Sequence, residues 1–192
     1  MATDLARSSL PDRRPIATLA AAILLSELVG ALGTVFTGPQ INTWYTTLAK
    51  PAFNPPNWVF GPVWTTLFAL MGAAAWLVWR RGFDQTAVRV ALSAFALQFA
   101  LNVGWSAAFF GLESPQLGLV VIIALWVAIV ATIALFDRVD RRAALLLVPY
   151  LAWVTFAAVL NYHIWRLNWP GSAREASSAS NWTRSFAPAV IR

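Results

Sequence analysis

Residues 116–136 read QLGLVVIIALWVAIVATIALF and contain no charged side chain. An α-helix needs about 20 consecutive apolar residues to cross the hydrocarbon core of a bilayer, and this run has that length. Apolar and polar residues do not alternate along it, which argues against a strand of a membrane barrel. We therefore predict a transmembrane helix here.

Four further apolar runs of similar length occur along the chain, at residues 16–36, 58–79, 87–110 and 143–165. Gly38 and Pro39 follow the first run and are expected to end it. Charged residues make up only 11% of the 192 residues, against about 25% in soluble domains. The sequence therefore predicts an all-α membrane protein, a bundle of five transmembrane helices within residues 16–168.

The two ends of the chain differ from this apolar region. Residues 1–15 form a basic leader, and residues 169–192 are mostly small or polar. Segments with so few apolar residues cannot bury enough surface to become ordered. We expect a mobile leader and a disordered tail.

Basic residues are unevenly distributed between the two sides of the predicted bundle. One side holds nine arginines: Arg7, Arg13, Arg14, Arg80, Arg81, Arg89, Arg138, Arg141 and Arg142. The opposite side holds only Lys50 in the first connection, and then Arg166, Arg174, Arg184 and Arg192 toward the C-terminus. The positive-inside rule weighs short loops most, and there the contrast is clear. The rule then predicts a cytoplasmic N-terminus in the cell (inner) membrane. The same rule accounts for the net charge of +6, so we expect no nucleic-acid partner.

The sequence lacks the residues that most metal and nucleophile sites require. It has no cysteine and a single histidine, His163. Disulfides, thiolate nucleophiles, cysteine zinc sites and iron–sulfur clusters are therefore excluded. No nucleophile with a positioned base is visible. We expect no metal site and no required cofactor.

Eleven tryptophans are far more than a chain of this length usually contains. Four lie at the ends of runs, where an indole suits the headgroup region: Trp58, Trp79, Trp165 and Trp169. Four others lie at or within the runs: Trp64, Trp105, Trp126 and Trp153. Anchoring in the headgroup region does not explain this second group.

Two runs carry a stripe of amide and aromatic side chains on one helical face. In the third run the stripe consists of Gln98, Asn102, Trp105 and Phe109, and in the fifth of Tyr150, Trp153, Ala157 and Asn161. Facing each other, the stripes would form a flat pocket with stacking surfaces. Amides also commonly hold membrane helices together. Spacing alone leaves both interpretations open.

The first connection, residues 38–57, is long and contains several prolines. Prolines fix φ and disfavour helix, so we predict a stiff, defined loop that serves as a lid. Glu27 is the one acid inside a run. It either faces a cavity or lies near a membrane face, and the lack of a basic partner in the runs favours the second, structural interpretation.

Small residues recur every four positions in two of the runs. The stripes are Ala22, Ser26 and Gly30 in the first run, and Ala100, Gly104 and Ala108 in the third. Such stripes allow close helix contact, within the bundle or across a dimer.

Several ordered motifs resemble one known family. They are WY at 44–45, KP at 50–51, PPNWVFGPVW at 55–64, LN at 101–102 with Trp105, PYLAW at 149–153 and LNY at 160–162. Together they resemble the tryptophan-rich sensory protein/peripheral benzodiazepine receptor (TspO/MBR) family over residues 20–168.

The resemblance implies a five-helix bundle, commonly a homodimer, with a cavity for porphyrins such as protoporphyrin IX beneath the first connection. By motif position it implies pocket roles for Tyr45, Trp64, Asn102, Trp105, Phe109, Trp153 and Ala157, to which the stripe adds Gln98. Leu160, Tyr162 and Arg166 fit a proposed sterol motif, a weak pattern by itself.

The preferred hypothesis is a membrane protein that binds a porphyrin or another flat hydrophobic ligand, for porphyrin handling or stress sensing. One alternative is a light-dependent porphyrin-degrading enzyme, with Trp64 and Trp153 as the candidate catalytic residues. Another is a transporter of sterols or small molecules, or a regulatory receptor. Repeats and intramembrane charges, which transporters commonly carry, are scarce here.

Overall fold

The computed structural model describes residues 14–169. The predictions for the tail beyond residue 169 and for residues 1–13 of the leader lie outside the described residues. The helices are α1 (Arg14–Ile41), α2 (Trp44–Thr47), α3 (Phe60–Trp79), α4 (Thr86–Ser106), α5 (Pro115–Asp137), α6 (Arg141–Leu146) and α7 (Val148–Leu167). A 3-10 turn at Asn57–Val59 precedes α3, and a π-helical turn at Ala107–Gly111 follows α4.

Five helical segments are long and apolar enough to cross a membrane: Pro15–Ile41, Asn57–Trp79, Thr86–Gly111, Pro115–Asp137 and Arg141–Leu167. They confirm the predicted fold class. The most extensive packing joins α4 to α5, α1 to α3 and α5 to α7. The core between them is apolar and includes Met71, Ile122 and Phe136.

Helix α1 approaches α3 closely through its stripe of small residues. The Ser26 hydroxyl donates to the Phe68 carbonyl at 2.7 Å, and the ring of Phe68 lies directly against Gly30. A Cβ atom on Gly72 would lie 2.7 Å from Ile23 Cα. This stripe therefore makes a contact within the bundle.

The second small-residue stripe makes no comparably tight contact. A Cβ atom on Gly104 would have Val121 Cγ1 as its nearest neighbour, at 4.0 Å. A dimer contact through this stripe stays a prediction.

Helix α1 extends further than the sequence suggested. It continues through Gly38 and Pro39 and ends at Ile41. Pro39 lies in the last turn of α1. Its missing N–H takes away one backbone hydrogen bond close to the end of the helix, where only two helical residues follow. The Thr43 hydroxyl donates to the Pro39 carbonyl at 2.8 Å and so satisfies an acceptor at the helix end. The expectation that Gly38 and Pro39 end the helix was wrong for this reason.

The turn that follows α4 is wider than an α-helical turn. The backbone N–H of Leu112 donates to the carbonyl of Ala107 at 2.8 Å, a bond that spans five residues. Phe109 and Phe110 lie next to each other in this turn, and both are buried. Isolated π-helical turns of this kind are frequent at functional sites.

The fifth span consists of two helices. Helix α6 ends at Leu146 and α7 begins at Val148, with Leu147 between them. Pro149 follows at once and lacks the N–H that a continuous helix would use. The span predicted at residues 143–165 is therefore confirmed as Arg141–Leu167, with an interruption at Leu147.

The first connection is folded over the end of the bundle. Within it α2 buries Tyr45, whose hydroxyl donates to Asn54 Oδ1 at 2.7 Å. Ala49 and Asn168 exchange two hydrogen bonds: the Ala49 N–H donates to Asn168 Oδ1 at 3.0 Å, and Asn168 Nδ2 donates to the Ala49 carbonyl at 2.9 Å. These bonds hold the connection against the C-terminal end of α7.

Candidate functional site

A cavity of about 430 Å³ lies between α1, α3, α4 and α7, at the end covered by the first connection. Small-molecule sites in proteins commonly have volumes of about 300–1,000 Å³, so this cavity is large enough for a ligand. Its walls are mainly apolar and aromatic. The aromatic residues that line it are Tyr45, Phe60, Trp64, Phe68, Trp105, Phe109, Phe110 and Trp153.

The tryptophans come from three different helices, and each is held by another ring. Trp64 stacks on Phe68 with ring centroids 5.4 Å apart. Trp105 stacks on Phe109 at 5.6 Å. Trp153 meets Phe60 edge to face at 6.1 Å. These contacts fix the ring orientations before any ligand enters.

The amides of the two predicted stripes hold helices together as well as lining the cavity. Asn102 Nδ2 donates to the Tyr150 hydroxyl at 3.1 Å and joins α4 to α7. Asn161 Oδ1 accepts from Trp105 Nε1 at 3.1 Å, and Asn161 Nδ2 donates to the Pro115 carbonyl at 2.7 Å. Both amides also line the cavity. Asn102 and Asn161 therefore both line the cavity and hold helices together, the two interpretations that their spacing had left open.

The indole nitrogen of Trp153 is enclosed by protein atoms although the residue lines the cavity. Its Nε1 atom is buried and has no hydrogen-bond partner among the residues that the structure describes. An unpaired buried donor costs free energy unless a ligand or water accepts from it.

Tyr45 forms the wall at the end of the cavity nearest the first connection. Burial raises the pKa of Tyr45 to about 12, so its hydroxyl keeps its proton at neutral pH and remains a donor to Asn54. Residues 14–169 contain no group of three histidine, cysteine, aspartate or glutamate side chains close enough together to hold a metal ion.

Most of the predicted pocket residues lie together around this cavity: Tyr45, Trp64, Asn102, Trp105, Phe109, Trp153 and Ala157. Gln98 does not line it. Gln98 is 1% exposed in the interior, and neither polar atom of its amide has a partner among the described residues. Of the sterol-motif residues, Leu160 lines the cavity, whereas Tyr162 and Arg166 are exposed.

Sequence reasoning missed the contribution of α1. One face of this helix lines the cavity from Glu27 through Thr34 to Ile41. Sequence analysis favoured a structural role for Glu27 near a membrane face, but the structure places this side chain at the cavity. The signal that identifies it is an acid inside an apolar span, which generally faces a cavity or a partner.

A cleft between α1 and α3 opens the cavity toward the side of the bundle. The two helices touch at Gly30 and Phe68, but nothing lies within 4 Å of a Cβ atom built on Gly38 or Gly61. Lining residues on both edges of this cleft, Thr34 and Thr65, are exposed. The helices therefore converge on one side of the cavity and separate toward the first connection.

These features define a multi-pass membrane protein with an aromatic cavity inside its helical bundle. Residues 22–166 match the model of the TspO/MBR family. The chain belongs to this family, as the motifs in its sequence predicted.

Curated relatives cover almost the whole folded region. The chain is 50% identical over 155 residues to the tryptophan-rich protein TspO of Chlorobaculum tepidum, covering 81% of this chain and 98% of that protein. It is 42% identical over 147 residues to the translocator protein of Homo sapiens, covering 74% and 86%. It is 38% identical over 151 residues to the tryptophan-rich sensory protein of Cereibacter sphaeroides, covering 77% and 92%.

Proposed function

We propose that this protein binds a tetrapyrrole of the protoporphyrin type in the cavity and acts in porphyrin handling or stress sensing. The observation that supports the proposal is the convergence of Trp64, Trp105 and Trp153 from three helices on one apolar cavity. A macrocycle offers flat apolar faces to such rings, and its polar edge offers acceptors.

Titration of protoporphyrin IX into the purified protein in nanodiscs tests this proposal. Trp64→Phe and Trp153→Phe each remove one indole while keeping a ring. Aromatic contacts contribute about 0.5–1.5 kcal/mol beyond burial of area, so each variant should weaken binding by up to about tenfold. Absorbance of the bound porphyrin reports the dissociation constant.

Trp79→Phe is the matched control, because Trp79 lies on the same helix as Trp64 but is 48% exposed and does not line the cavity. Its affinity should equal that of the unmodified protein. Unchanged affinity in both Trp64→Phe and Trp153→Phe would show that the porphyrin does not bind in this cavity. Absence of binding to the unmodified protein would overturn the proposed function itself.

A second candidate function is light-dependent breakdown of the bound porphyrin. It is favoured by the same three oxidisable indoles around one cavity. Under illumination in air, Trp64→Phe and Trp153→Phe should then slow loss of porphyrin absorbance much more than they weaken binding, because phenylalanine is harder to oxidise. If the two variants lose porphyrin binding and porphyrin breakdown to the same degree, the light-dependent function is ruled out and only binding is supported.

We further infer that the protein lies in the inner membrane with a cytoplasmic N-terminus and forms a homodimer. The arginine distribution supports the orientation. Ala100 and Gly104 of the small-residue stripe are not buried in the protomer and would allow a second copy to approach closely, whereas Ala108 is buried.

A further inference from the structure

Glu27 is the one acidic or basic side chain that lines the cavity in the part of the chain that the structure describes. It lies inside the first membrane span, and no residue from 14 to 169 forms a hydrogen bond or ion pair with it. An ionisable group inside a membrane span is costly and is usually retained for a function. Neither the aromatic walls nor the helix contacts described above use this carboxyl group.

The packing of α1 fixes Glu27 at the inner end of the cavity. Ser26, its neighbour, donates to the Phe68 carbonyl at 2.7 Å, and Gly30, one turn further, lies against the Phe68 ring. Ile41 lines the opposite end, near the first connection. At 1.5 Å per residue along a helix, these two lining residues are separated by about 21 Å.

A basic residue, Lys50, lies near the end of the cavity at the first connection but does not line the cavity. Lys50 Nζ lies 4.7 Å from the centre of the Tyr45 ring, and Tyr45 lines the cavity. The Lys50 ammonium is held there by the carbonyl of Leu48 at 3.0 Å. The cavity therefore has an acidic inner end and a basic neighbour at its outer end.

We propose that Glu27 determines the specificity of the cavity by excluding carboxylates from its inner end, so that it accepts only tetrapyrroles whose acidic groups lie along one edge. This inference rests on the proposed porphyrin-binding function. An accepted ring points its carboxylates toward Lys50 and its uncharged edge toward Glu27. A ring with carboxylates on all sides brings one of them against Glu27 in every orientation.

The exclusion operates when the Glu27 carboxyl group is ionised. Two like charges a few ångströms apart repel far more strongly at the low effective dielectric of a protein than in water. No basic residue among those lining the cavity compensates a second carboxylate. Discrimination against a competing ligand by an unfavourable charge contact is a common route to specificity.

Two porphyrins and one isosteric variant test the inference. Protoporphyrin IX carries its carboxylates along one edge, whereas coproporphyrin III carries them around the ring. Unmodified protein in nanodiscs should bind protoporphyrin IX more tightly. Glu27→Gln keeps the size and polarity of the side chain but removes its charge. It should tighten coproporphyrin III binding by roughly tenfold or more and change protoporphyrin IX binding by less than about threefold.

Glu113→Gln is the matched control, because Glu113 is the other glutamate in residues 14–169 and does not line the cavity. It should leave both affinities unchanged. Equal affinity of the unmodified protein for both porphyrins, or the same affinity ratio in Glu27→Gln, would overturn the role of Glu27 while leaving porphyrin binding intact. Failure of both porphyrins to bind the unmodified protein would instead overturn the proposed function, and this inference with it.

Discussion

Asp140 lies in the connection between α5 and α6 and serves two structural roles with one carboxylate. One oxygen accepts from Arg81 Nε at 3.1 Å and Nη2 at 2.6 Å. The other accepts from the backbone N–H of Arg142 at 2.9 Å and caps α6. Asp140 therefore ties the end of α3 to the start of the last membrane span.

These contacts lower the pKa of the Asp140 carboxyl group. Burial alone would raise the pKa of Asp140, but the hydrogen bonds from Arg81 and Arg142 and the charge of Arg81 outweigh it and hold the pKa below the usual 3.8. A carboxyl group with a lowered folded-state pKa stabilises the fold above its unfolded pKa. That stabilisation is lost as the pH falls through the lower, folded-state value.

Substitutions of Asp140 should separate the two roles. Asparagine remains a good helix cap, so Asp140→Asn loses only the ion pair, which contributes at most about 1 kcal/mol because Arg81 is half exposed. Asp140→Ala also loses the cap and should cost about 1 kcal/mol more. Thermal unfolding in detergent at neutral pH, followed by circular dichroism, should show the highest melting temperature for the unmodified protein, then Asp140→Asn, then Asp140→Ala.

Asp137→Asn is the control, since Asp137 is exposed in the same connection and should unfold like the unmodified protein. The difference in melting temperature between the unmodified protein and Asp140→Asn should close as the pH falls through the folded-state pKa of Asp140, which lies below 3.8. A difference in melting temperature that stays the same in acid would contradict a stabilising role for the Asp140 charge.

Helical spacing predicted which amides share a face, but not what they contact. The i, i+4, i+7 and i+11 pattern placed Asn102 and Phe109 on one stripe, and both line the cavity. The partner of Asn102 is the Tyr150 hydroxyl, on another helix and distant in sequence. Gln98 lies on the same stripe but does not line the cavity. Helical spacing predicts which side of a helix a residue is on, but it does not predict how far a cavity extends along that helix.

Among the elements, the α1–α3 contact depends most on a single residue, Gly72. A Cβ atom there would lie 2.7 Å from Ile23 Cα and 2.8 Å from the Ala22 carbonyl oxygen. Both are backbone atoms, so a rotamer change cannot relieve the clash. Gly72→Ala should push α1 away from α3 and lower the free energy of unfolding by about 1–3 kcal/mol, as overpacking generally does. Thermal unfolding in detergent measures the loss.

Gly61→Ala provides the comparison on the same helix, because nothing lies within 4 Å of the added Cβ atom. Its stability should stay within about 0.5 kcal/mol of the unmodified protein. Equal stability of Gly72→Ala and Gly61→Ala would mean that α1 does not approach α3 this closely.

The existence of the membrane helices was predictable, whereas their ends were not. Hydropathy identifies a span because every residue in it adds to the signal. The last turn of α1 depends instead on one hydroxyl, that of Thr43, reaching the Pro39 carbonyl. The π-helical turn at Ala107–Gly111 similarly depends on where two phenylalanines pack. Such contacts are tertiary and leave no periodic pattern in the sequence.

At the scale of the whole molecule, the arginine asymmetry predicts the orientation in the membrane. Thr43 and Gln85 are exposed at opposite ends of the bundle, and the chain has no native cysteine. Cysteine at position 43 should react with an impermeant thiol reagent in spheroplasts, and cysteine at position 85 should react only after lysis. The reverse pattern would place the N-terminus outside.

The whole-molecule architecture was the part of the structure that the sequence predicted best. The ordered motifs between residues 44 and 162 indicated the family, and the family model matches residues 22–166. The face of α1 that lines the cavity was not identified, because its small and hydroxyl residues look the same whether they line a cavity or contact a helix. Only Glu27 distinguishes that face by its charge.

The close contact between α1 and α3 also has a consequence for biosynthesis. Ile23 is added to the growing chain 49 residues before Gly72, an interval of several seconds at about 5–20 residues per second. For an interval of that length α1 has no α3 to pack against, and the Ser26 hydroxyl and the Glu27 carboxyl lack this neighbour. Leu24, Leu28 and Leu32, which remain exposed in the finished bundle, give the nascent helix enough apolar surface to stay inserted until its neighbour is made.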